Sequence, residues 1–311
     1  MNREIVIGSR GSKLALWQSE WVKARLEEMG ARVRIEIFKT QGDVMRDVPL
    51  STIGGQGAFT KELEVALLDG RIDVAVHSLK DLPTVNPEGL SITATPERED
   101  ARDALVLRAD ADSNGASVKN LPAGSVVGTS SLRRIAQLKH LRPDVRVKDL
   151  RGNVDTRLRK LDSGEYDAVI LASAGLRRLG LGRRISAAIE TDVMLPAVSQ
   201  GSLGVQTRAD DSETNALVSR LDHPQTRAAV TAERALLRKL GGGCQVPIAA
   251  HAVVTGGDMR LDGLVASLDG SRVMRDTTIA AASEAEQAGG VLAARMLEQG
   301  AGELLSETPT I

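Results

Sequence analysis

Short apolar runs alternate with longer amphipathic segments through the first two-thirds of the chain. The run at 4–8 predicts a buried strand, and the segment at about 13–29 places its apolar residues on one face of a helix. Ser12 is a suitable N-cap for that helix, and 33–38 is the next apolar run. A strand, a helix and a second strand in this order predict a βαβ opening.

The same alternation continues beyond a long Gly-rich connection. A helix predicted at 61–68 precedes a strand at 72–76, and a second block begins near Asp103. Its predicted strands lie at 125–128, 146–148 and 168–171, with helices at 132–141 and 154–161. Strands that alternate with helices indicate mainly parallel sheets, whose binding sites lie at the carboxyl ends of the strands.

The last third of the chain follows a different pattern. A predicted helix at 225–240 is followed by strands at about 249–254, 260–266 and 273–281 and by a final helix. Ser283 and Glu286 fit a capping box at the start of this last helix, and Gly300 is placed to end it. The whole pattern predicts the α/β class, with two doubly wound α/β domains and a smaller C-terminal α+β domain.

Composition limits the classes of function. The chain has 311 residues, a net charge of −1 and one cysteine, so an internal disulfide is impossible. The chain has no apolar run of bilayer-spanning length and begins without a signal-peptide layout, which favours a cytoplasmic protein and no membrane partner. Five aromatic residues offer little stacking surface for bases, so we expect no nucleic-acid partner.

Arginine is the main departure from an ordinary composition. The 40 basic residues comprise 30 Arg and 10 Lys, a bias that a high genomic GC content would also produce. Three turns that each follow a predicted strand and open a helix carry arginine, at 128–134, 151–157 and 172–178. Guanidinium groups and helix N-termini both favour anions. These turns predict a cleft for a substrate with several carboxylates or phosphates.

Asp81 is the one carboxylate for which we predict a comparable position after a strand. Held near Lys80 and Arg10, it could stabilise a cationic intermediate or transfer a proton. The alternative is a turn-forming aspartate. The neighbouring His77 is better explained as a structural residue. The four histidines lack ligand spacing, so we expect no metal.

Cys244 allows two interpretations. An unpaired cysteine is often a small buried hydrophobe. Three preceding glycines and a following proline favour instead a loop that presents a reactive thiol. The residues around Cys244 leave both readings open.

Six segments together resemble the porphobilinogen deaminase (hydroxymethylbilane synthase) family. They occur in the family's order and are distributed over nearly the whole chain. The segments are 7–18 (IGSRGSKLALWQ), 76–83 (VHSLKDLP), 128–134 (GTSSLRR), 150–153 (LRGN), 195–201 (LPAVSQG) and 242–247 (GGCQVP).

The resemblance implies a transferase of porphyrin biosynthesis. Such an enzyme condenses four porphobilinogen molecules into hydroxymethylbilane and releases ammonia at each step. It would carry a dipyrromethane cofactor joined by a thioether to Cys244, as a primer that stays on the enzyme. Asp81 would stabilise the azafulvenium-like cation that remains when ammonia departs.

The resemblance also implies roles for further residues and a domain layout. Catalytic residues would be Asp81, Lys80 and Arg10. Besides Cys244, the cofactor would be held by Ser12, Lys80, Asp81, Thr129, Ser131, Arg133, Arg134, Arg151 and Gly152. The substrate would contact Arg10, Phe59, Arg151, Arg157, Arg178 and Gln200. The implied monomer has a domain 1 at 1–98 plus 198–217, a domain 2 at 99–197 and a domain 3 at 218–311, the first two resembling a periplasmic binding protein.

One alternative function comes from another class. A non-catalytic, two-lobed binding protein for a carboxylate or phosphate ligand would use the same arginine-rich turns. The lone thiol in a third domain favours the transferase.

Overall fold

A computed structural model describes residues 3–39, 60–242 and 246–306. Phe59 and Cys244, to which the family resemblance gives roles in substrate and cofactor binding, lie outside these ranges. The described strands are β1 (Glu4–Arg10), β2 (Arg32–Phe38), β3 (Val74–Ser78), β4 (Leu90–Ala94), β5 (Asp103–Leu107), β6 (Val126–Gly128), β7 (Arg146–Lys148), β8 (Ala168–Ala172), β9 (Ala187–Ile189), β10 (Leu203–Arg208), β11 (Ile248–Thr255), β12 (Asp258–Ala266) and β13 (Val273–Ala281).

The helices include every helical segment that the sequence predicts, together with helices at 212–218 and 301–306 that it does not predict. They are α1 (Lys13–Glu28), α2 (Lys61–Leu68), α3 (Leu132–Leu141), α4 (Val154–Asp162), α5 (Ser173–Arg178), α6 (Ser212–Val218), α7 (Pro224–Lys239), α8 (Ala285–Glu298) and α9 (Ala301–Ser306). The predicted N-cap of α1 is confirmed, since the Ser12 hydroxyl accepts the Ala15 N–H at 3.2 Å. Gly300, at φ 99°, follows the C-cap of α8, as predicted.

The first compact unit comprises Met1–Glu99 and Ser202–Arg227. Its sheet has the strand order β2-β1-β3-β10-β4. Strand β1 pairs in parallel with β2 and β3, so Ile5 and Ile7 are fully buried in the centre of the sheet. Burial of each such side chain stabilises the fold by roughly 1.5–3 kcal/mol.

The second compact unit comprises Asp100–Gly201 and Ala228–Ile311. It contains a five-stranded sheet of order β7-β6-β8-β5-β9 and a three-stranded antiparallel sheet of order β11-β12-β13. A small core that includes Ala136 and Leu264 packs α3 against β12. The two five-stranded sheets and the smaller α+β part confirm the predicted fold class. The three-domain boundaries stay a prediction.

Two local predictions differ from the structure, and each mainly parallel sheet contains one exception. Each five-stranded sheet is mixed, because one strand, β10 or β5, runs antiparallel to its neighbours while the other four strands run in the same direction. The strand predicted at 72–76 lies at Val74–Ser78. The capping box is also wrong: Ser283 lies in a 3-10 turn, and Glu284 is the N-cap of α8 without a side-chain capping bond.

Candidate functional site

In the first unit, the end of β3 presents Asp81 at the surface. A 3-10 turn at Leu79–Asp81 follows the strand directly. Leu79 and Leu82 are buried, and the Leu79 N–H donates to the Ser202 carbonyl at 3.0 Å. Asp81 lies exposed between these two anchored leucines, and Lys80 is half-buried. The turn therefore fixes the backbone and leaves the carboxylate accessible.

His77 has the surroundings of a structural residue rather than of a proton carrier. Its ring is 5% exposed and lies 3.1 Å from the amide oxygen of Gln206, so the ring donates Nε2–H. Burial, with the nearby charge of Arg10, lowers the pKa of His77 to about 4 although the Gln206 bond opposes the shift. The imidazole is neutral at pH 7. The structural role of His77 stays a prediction, which this burial supports.

Arg10 and Ser12 flank the turn between β1 and α1. Arg10 is the last residue of β1 and is half-buried. The Ser12 hydroxyl already accepts one backbone N–H as the N-cap of α1. A hydroxyl that accepts one bond can still donate its own hydrogen, so Ser12 can cap the helix and contact a ligand oxygen.

In the second unit, β6 ends at Gly128 in a turn that opens α3. A Cβ at Gly128 would lie 2.8 Å from the ring of Tyr166, so only glycine allows this close packing. Ser131 is the N-cap of α3, but its side chain makes no capping bond, and the first turn of α3 has no acidic residue. The start of α3 is therefore suited to an anion. Thr129, in the same turn, is buried.

Arg133 and Arg134 converge on one buried carboxylate that the sequence reasoning missed. Asp103 is fully buried and accepts hydrogen bonds from Arg133 Nη1 at 2.6 Å and from Arg134 Nη2 at 2.8 Å. Gln200 Nε2 also donates to Asp103, at 2.8 Å. We call Asp103, Arg133 and Arg134 the Asp103 cluster.

The electrostatics of the Asp103 cluster are dominated by its two cations. Burial alone would raise the pKa of Asp103, but the charges of Arg133 and Arg134 and their hydrogen bonds hold it well below its usual range. One carboxylate faces two guanidinium groups, so the cluster keeps a net positive charge. Arg133 and Arg134 are also both buried, which a role limited to lining a substrate cleft would not require.

A second turn lies beside the first. The Ser130 hydroxyl donates to the Leu150 carbonyl at 2.7 Å and accepts the Leu150 N–H at 3.1 Å, which ties the two turns together. Arg151 pairs with Asp149 at 2.8 Å, and Arg157 donates to the Gly152 carbonyl at 2.7 Å. Gly152 has φ 106°, a conformation that favours glycine.

Arg178 is the last predicted arginine of the second unit. It ends α5, is 9% exposed, and donates from Nη2 to the Gly201 carbonyl at 2.6 Å. The neighbouring Gln200 also donates to the Ala101 carbonyl. The structure therefore brings Arg133, Arg134 and Gln200 directly together and ties Arg178 to the backbone next to Gln200. Arg157 binds the carbonyl of Gly152, the residue that follows Arg151 in the chain.

Asp103 was missed because it begins a strand rather than following one. Strand β5 runs antiparallel to β8, and Asp103 pairs with Ala172 at the carboxyl end of β8. The start of β5 thus lies at the edge where the arginine-bearing turns begin. A charged residue at the head of the apolar run 104–107 was the available signal.

Among the residues that the structure describes, no group of three or more His, Cys, Asp or Glu side chains is placed to hold a metal ion. In the same ranges, no helix is both long and apolar enough to cross a membrane.

Comparisons with known proteins identify a family. Residues 5–216 match the model of the porphobilinogen deaminase dipyromethane cofactor binding domain, and residues 227–298 match the porphobilinogen deaminase C-terminal domain. The porphobilinogen deaminase of Pelobacter propionicus is 48% identical over 98% of this chain and 97% of its own length. That of Nitratidesulfovibrio vulgaris is 51% identical over the same shares of the two chains.

Solved structures with lower sequence identity are also similar. The effector binding domain of BenM with benzoate is 16% identical, covers 71% of this chain and 90% of its own, and has a TM-score of 0.45. The methionine binding protein MetQ is 14% identical over 70% of this chain and 89% of its own, also with a TM-score of 0.45.

Proposed function

This chain belongs to the porphobilinogen deaminase family, and from that premise we propose how its residues carry out the family's reaction. The enzyme is a transferase of tetrapyrrole biosynthesis with porphobilinogen as its substrate and dipyrromethane as its cofactor. Porphobilinogen units are joined into a linear tetrapyrrole, and ammonia is released. The transferase thus replaces the alternative interpretation of the arginine-rich turns, a non-catalytic two-lobed binding protein.

The residues of the second unit fit a cofactor with two acidic pyrrole rings. Each ring carries an acetate and a propionate, so the bound group presents four carboxylates. Arg133 Nε is buried, and no acceptor lies within hydrogen-bond distance of it among the described residues. The Ser131 hydroxyl makes no capping bond at the start of α3. When bound through Cys244, the cofactor supplies the pyrrole end to which the first substrate is joined.

We assign the carboxylate contacts by position. The residues that would hold the cofactor are Ser12, Lys80, Asp81, Thr129, Ser131, Arg133, Arg134, Arg151 and Gly152. The substrate carboxylates would contact Arg10, Arg151, Arg157, Arg178 and Gln200, with Phe59 near the substrate ring. The observation that carries this assignment is the convergence of guanidinium groups and an open helix N-terminus at one edge of the second unit's sheet.

Asp81 would supply the reaction's electrostatic stabilisation. As ammonia leaves porphobilinogen, positive charge develops on the substrate. An accessible carboxylate on a fixed turn would stabilise that charge and accept the pyrrole N–H, and Lys80 and Arg10 would hold the substrate's acidic side chains near it. The protein would act as a monomer in the cytoplasm, without a nucleic-acid partner.

The test is ammonia release from porphobilinogen by the purified chain and by Asp81→Asn. We expect steady release by the wild type and a loss of about a thousandfold in turnover for Asp81→Asn. Its unfolding temperature should be unchanged, because Asp81 is exposed. Glu88→Gln, which neutralises another exposed carboxylate of the same unit, is the control and should retain activity. Near-normal turnover of Asp81→Asn would remove Asp81 from this role.

A further inference from the structure

The geometry of the Asp103 cluster points to a positioning residue for the carboxylate site, an inference that rests on the proposed function. We propose that Asp103 sets the orientation of Arg133 and holds Gln200 beside it, so that one edge of the Arg133 guanidinium stays available for a pyrrole carboxylate. Asp103 itself would not contact the substrate or the cofactor.

The contacts of Arg133 define which edge is used. Its two terminal nitrogens face Asp103 end-on, with Nη1 2.6 Å from Oδ2 and Nη2 3.2 Å from Oδ1. Nη1 donates a second bond to the Leu195 carbonyl at 2.7 Å. The opposite edge, formed by Nε and the second hydrogen of Nη2, is a planar fork that matches a carboxylate.

The unused edge is the observation that indicates a ligand. Arg133 is 4% exposed, and its Nε has no acceptor within reach in the described part of the chain. An unsatisfied donor at this depth is costly unless something pairs with it. Arg134 differs, because Nε and Nη2 both donate to Asp103 and Nη1 donates to the Ile170 carbonyl.

The charge balance supports the same conclusion. Asp103 neutralises one of the two buried cations, and one positive charge remains for an incoming anion. Without Asp103, two guanidinium groups would lie buried beside each other with no counter-charge, which would force them apart. Asp103 thus makes the pair of arginines possible and fixes the fork of Arg133.

Gln200 links the cluster to the predicted substrate contacts. Its Nε2 donates to both Asp103 and the Ala101 carbonyl at 2.8 Å. The adjacent Ser199 has φ 61°, a conformation that a non-glycine residue rarely adopts, and its N–H donates to the buried Glu233 carboxylate at 2.6 Å. A substitution of Asp103 would therefore affect both Arg133 and the placement of the 199–201 backbone.

The chain offers a matched control in the first unit. Asp73 is 5% exposed and also binds two arginines, with Arg3 Nη1 at 2.9 Å and Arg208 Nη2 at 3.0 Å. Asp211 contacts the same two arginines, so two carboxylates balance two cations. Asp73 directly precedes β3, at the end of the strand opposite to Asp81. We call these four residues the Asp73 cluster.

The experiment compares Asp103→Asn with Asp73→Asn as full-length proteins. Intact mass gives the fraction that carries dipyrromethane, ammonia release gives kcat and KM, and thermal unfolding gives stability. We expect both variants to lose stability. Only Asp103→Asn should also lose cofactor content or raise the KM for porphobilinogen, by about tenfold or more. Equal cofactor content and KM in the two variants would overturn the proposal.

A second variant keeps the test decisive if Asp103→Asn does not fold. Asp103→Glu retains the charge and moves the carboxylate by one methylene, so the fold should survive. We expect KM to rise about fivefold with a smaller change in kcat, because Gln200, the proposed substrate contact held by Asp103, is displaced and Asp81 is not. An unchanged KM would contradict the positioning role. Failure of the proposed function is recognised separately, since the wild type would then release no ammonia and carry no added mass.

Discussion

Two buried aspartates, Asp73 in the first unit and Asp103 in the second, each bind two arginines, yet we propose different roles for them. The Asp73 cluster contains two carboxylates for two cations and leaves no charge uncompensated. The Asp103 cluster contains one carboxylate for two cations and leaves a buried guanidinium nitrogen without an acceptor among the described residues. Charge balance and unmet hydrogen-bonding capacity, rather than burial, therefore distinguish the proposed binding site from a stabilising ion pair.

The largest expected effect is a pH dependence of folding stability that arises from His77 rather than from either cluster. Burial lowers the pKa of His77 to about 4 from 6.5, so the unfolded chain binds one more proton between these values. Stability should therefore fall as the pH drops from 6.5 to 4, by on the order of 3 kcal/mol. Urea unfolding of wild type and His77→Gln across this range measures the loss, which the variant should lack.

Asp211 and Asp103 should affect stability only at lower pH. Hydrogen bonds to Thr214 and the arginines outweigh burial and lower the pKa of Asp211 to about 2, and the pKa of Asp103 is also held well below its usual range. Their stabilisation is complete above the unfolded pKa and is lost as the pH falls through the folded value. If the His77→Gln variant still lost stability between pH 6.5 and 4, then the clusters or another group would be responsible for the loss.

The next largest effect is a difference in kcat/KM between two variants, each with one arginine of one cluster replaced by lysine. Arg133→Lys keeps the charge but removes the fork, so kcat/KM for porphobilinogen should fall about a hundredfold. Arg208→Lys weakens the balanced cluster and should cost stability while kcat/KM stays within about twofold. Ammonia release and intact mass measure both variants. Equal losses of activity in the two would remove the distinction between the clusters.

The smallest effect concerns the bond between the two arginine-bearing turns. Ser130→Ala leaves the buried N–H and carbonyl of Leu150 without the hydroxyl, which should cost about 1–2 kcal/mol of stability. Ser163→Ala removes a hydroxyl that donates to a backbone carbonyl at an exposed position and should cost less than about 0.5 kcal/mol. Denaturant unfolding of both variants decides whether Ser130 holds the turns together.

The sequence predicted the elements that have strong local signals but not the strands β4, β5, β9 and β10. Helices α2 and α3 begin and end where the amphipathic pattern places them, and Ser12 caps α1 as expected. The antiparallel direction of β5 was not predictable, since it depends on long-range pairing with β8. For that reason Asp103 at the head of β5 was overlooked.

The candidate site was predictable in kind but not in its internal contacts. The turns at 128–134 and 151–157 predicted an anion site, because each carries arginine at the start of a helix. Sequence could not show that Arg133 and Arg134 share one buried carboxylate, because the partner lies about thirty residues away and on another element. The sequence also could not show that every side-chain nitrogen of Arg134 has an acceptor, whereas Nε of Arg133 has none among the described residues.

The decisive measurement is the mass of the intact purified protein, since we propose that the arginine-rich site retains a dipyrromethane on Cys244. We expect a mass above the 33.0 kDa of the sequence by one dipyrromethane, and the unmodified mass for Cys244→Ser. A wild-type protein that releases ammonia from porphobilinogen at the unmodified sequence mass would contradict the claim.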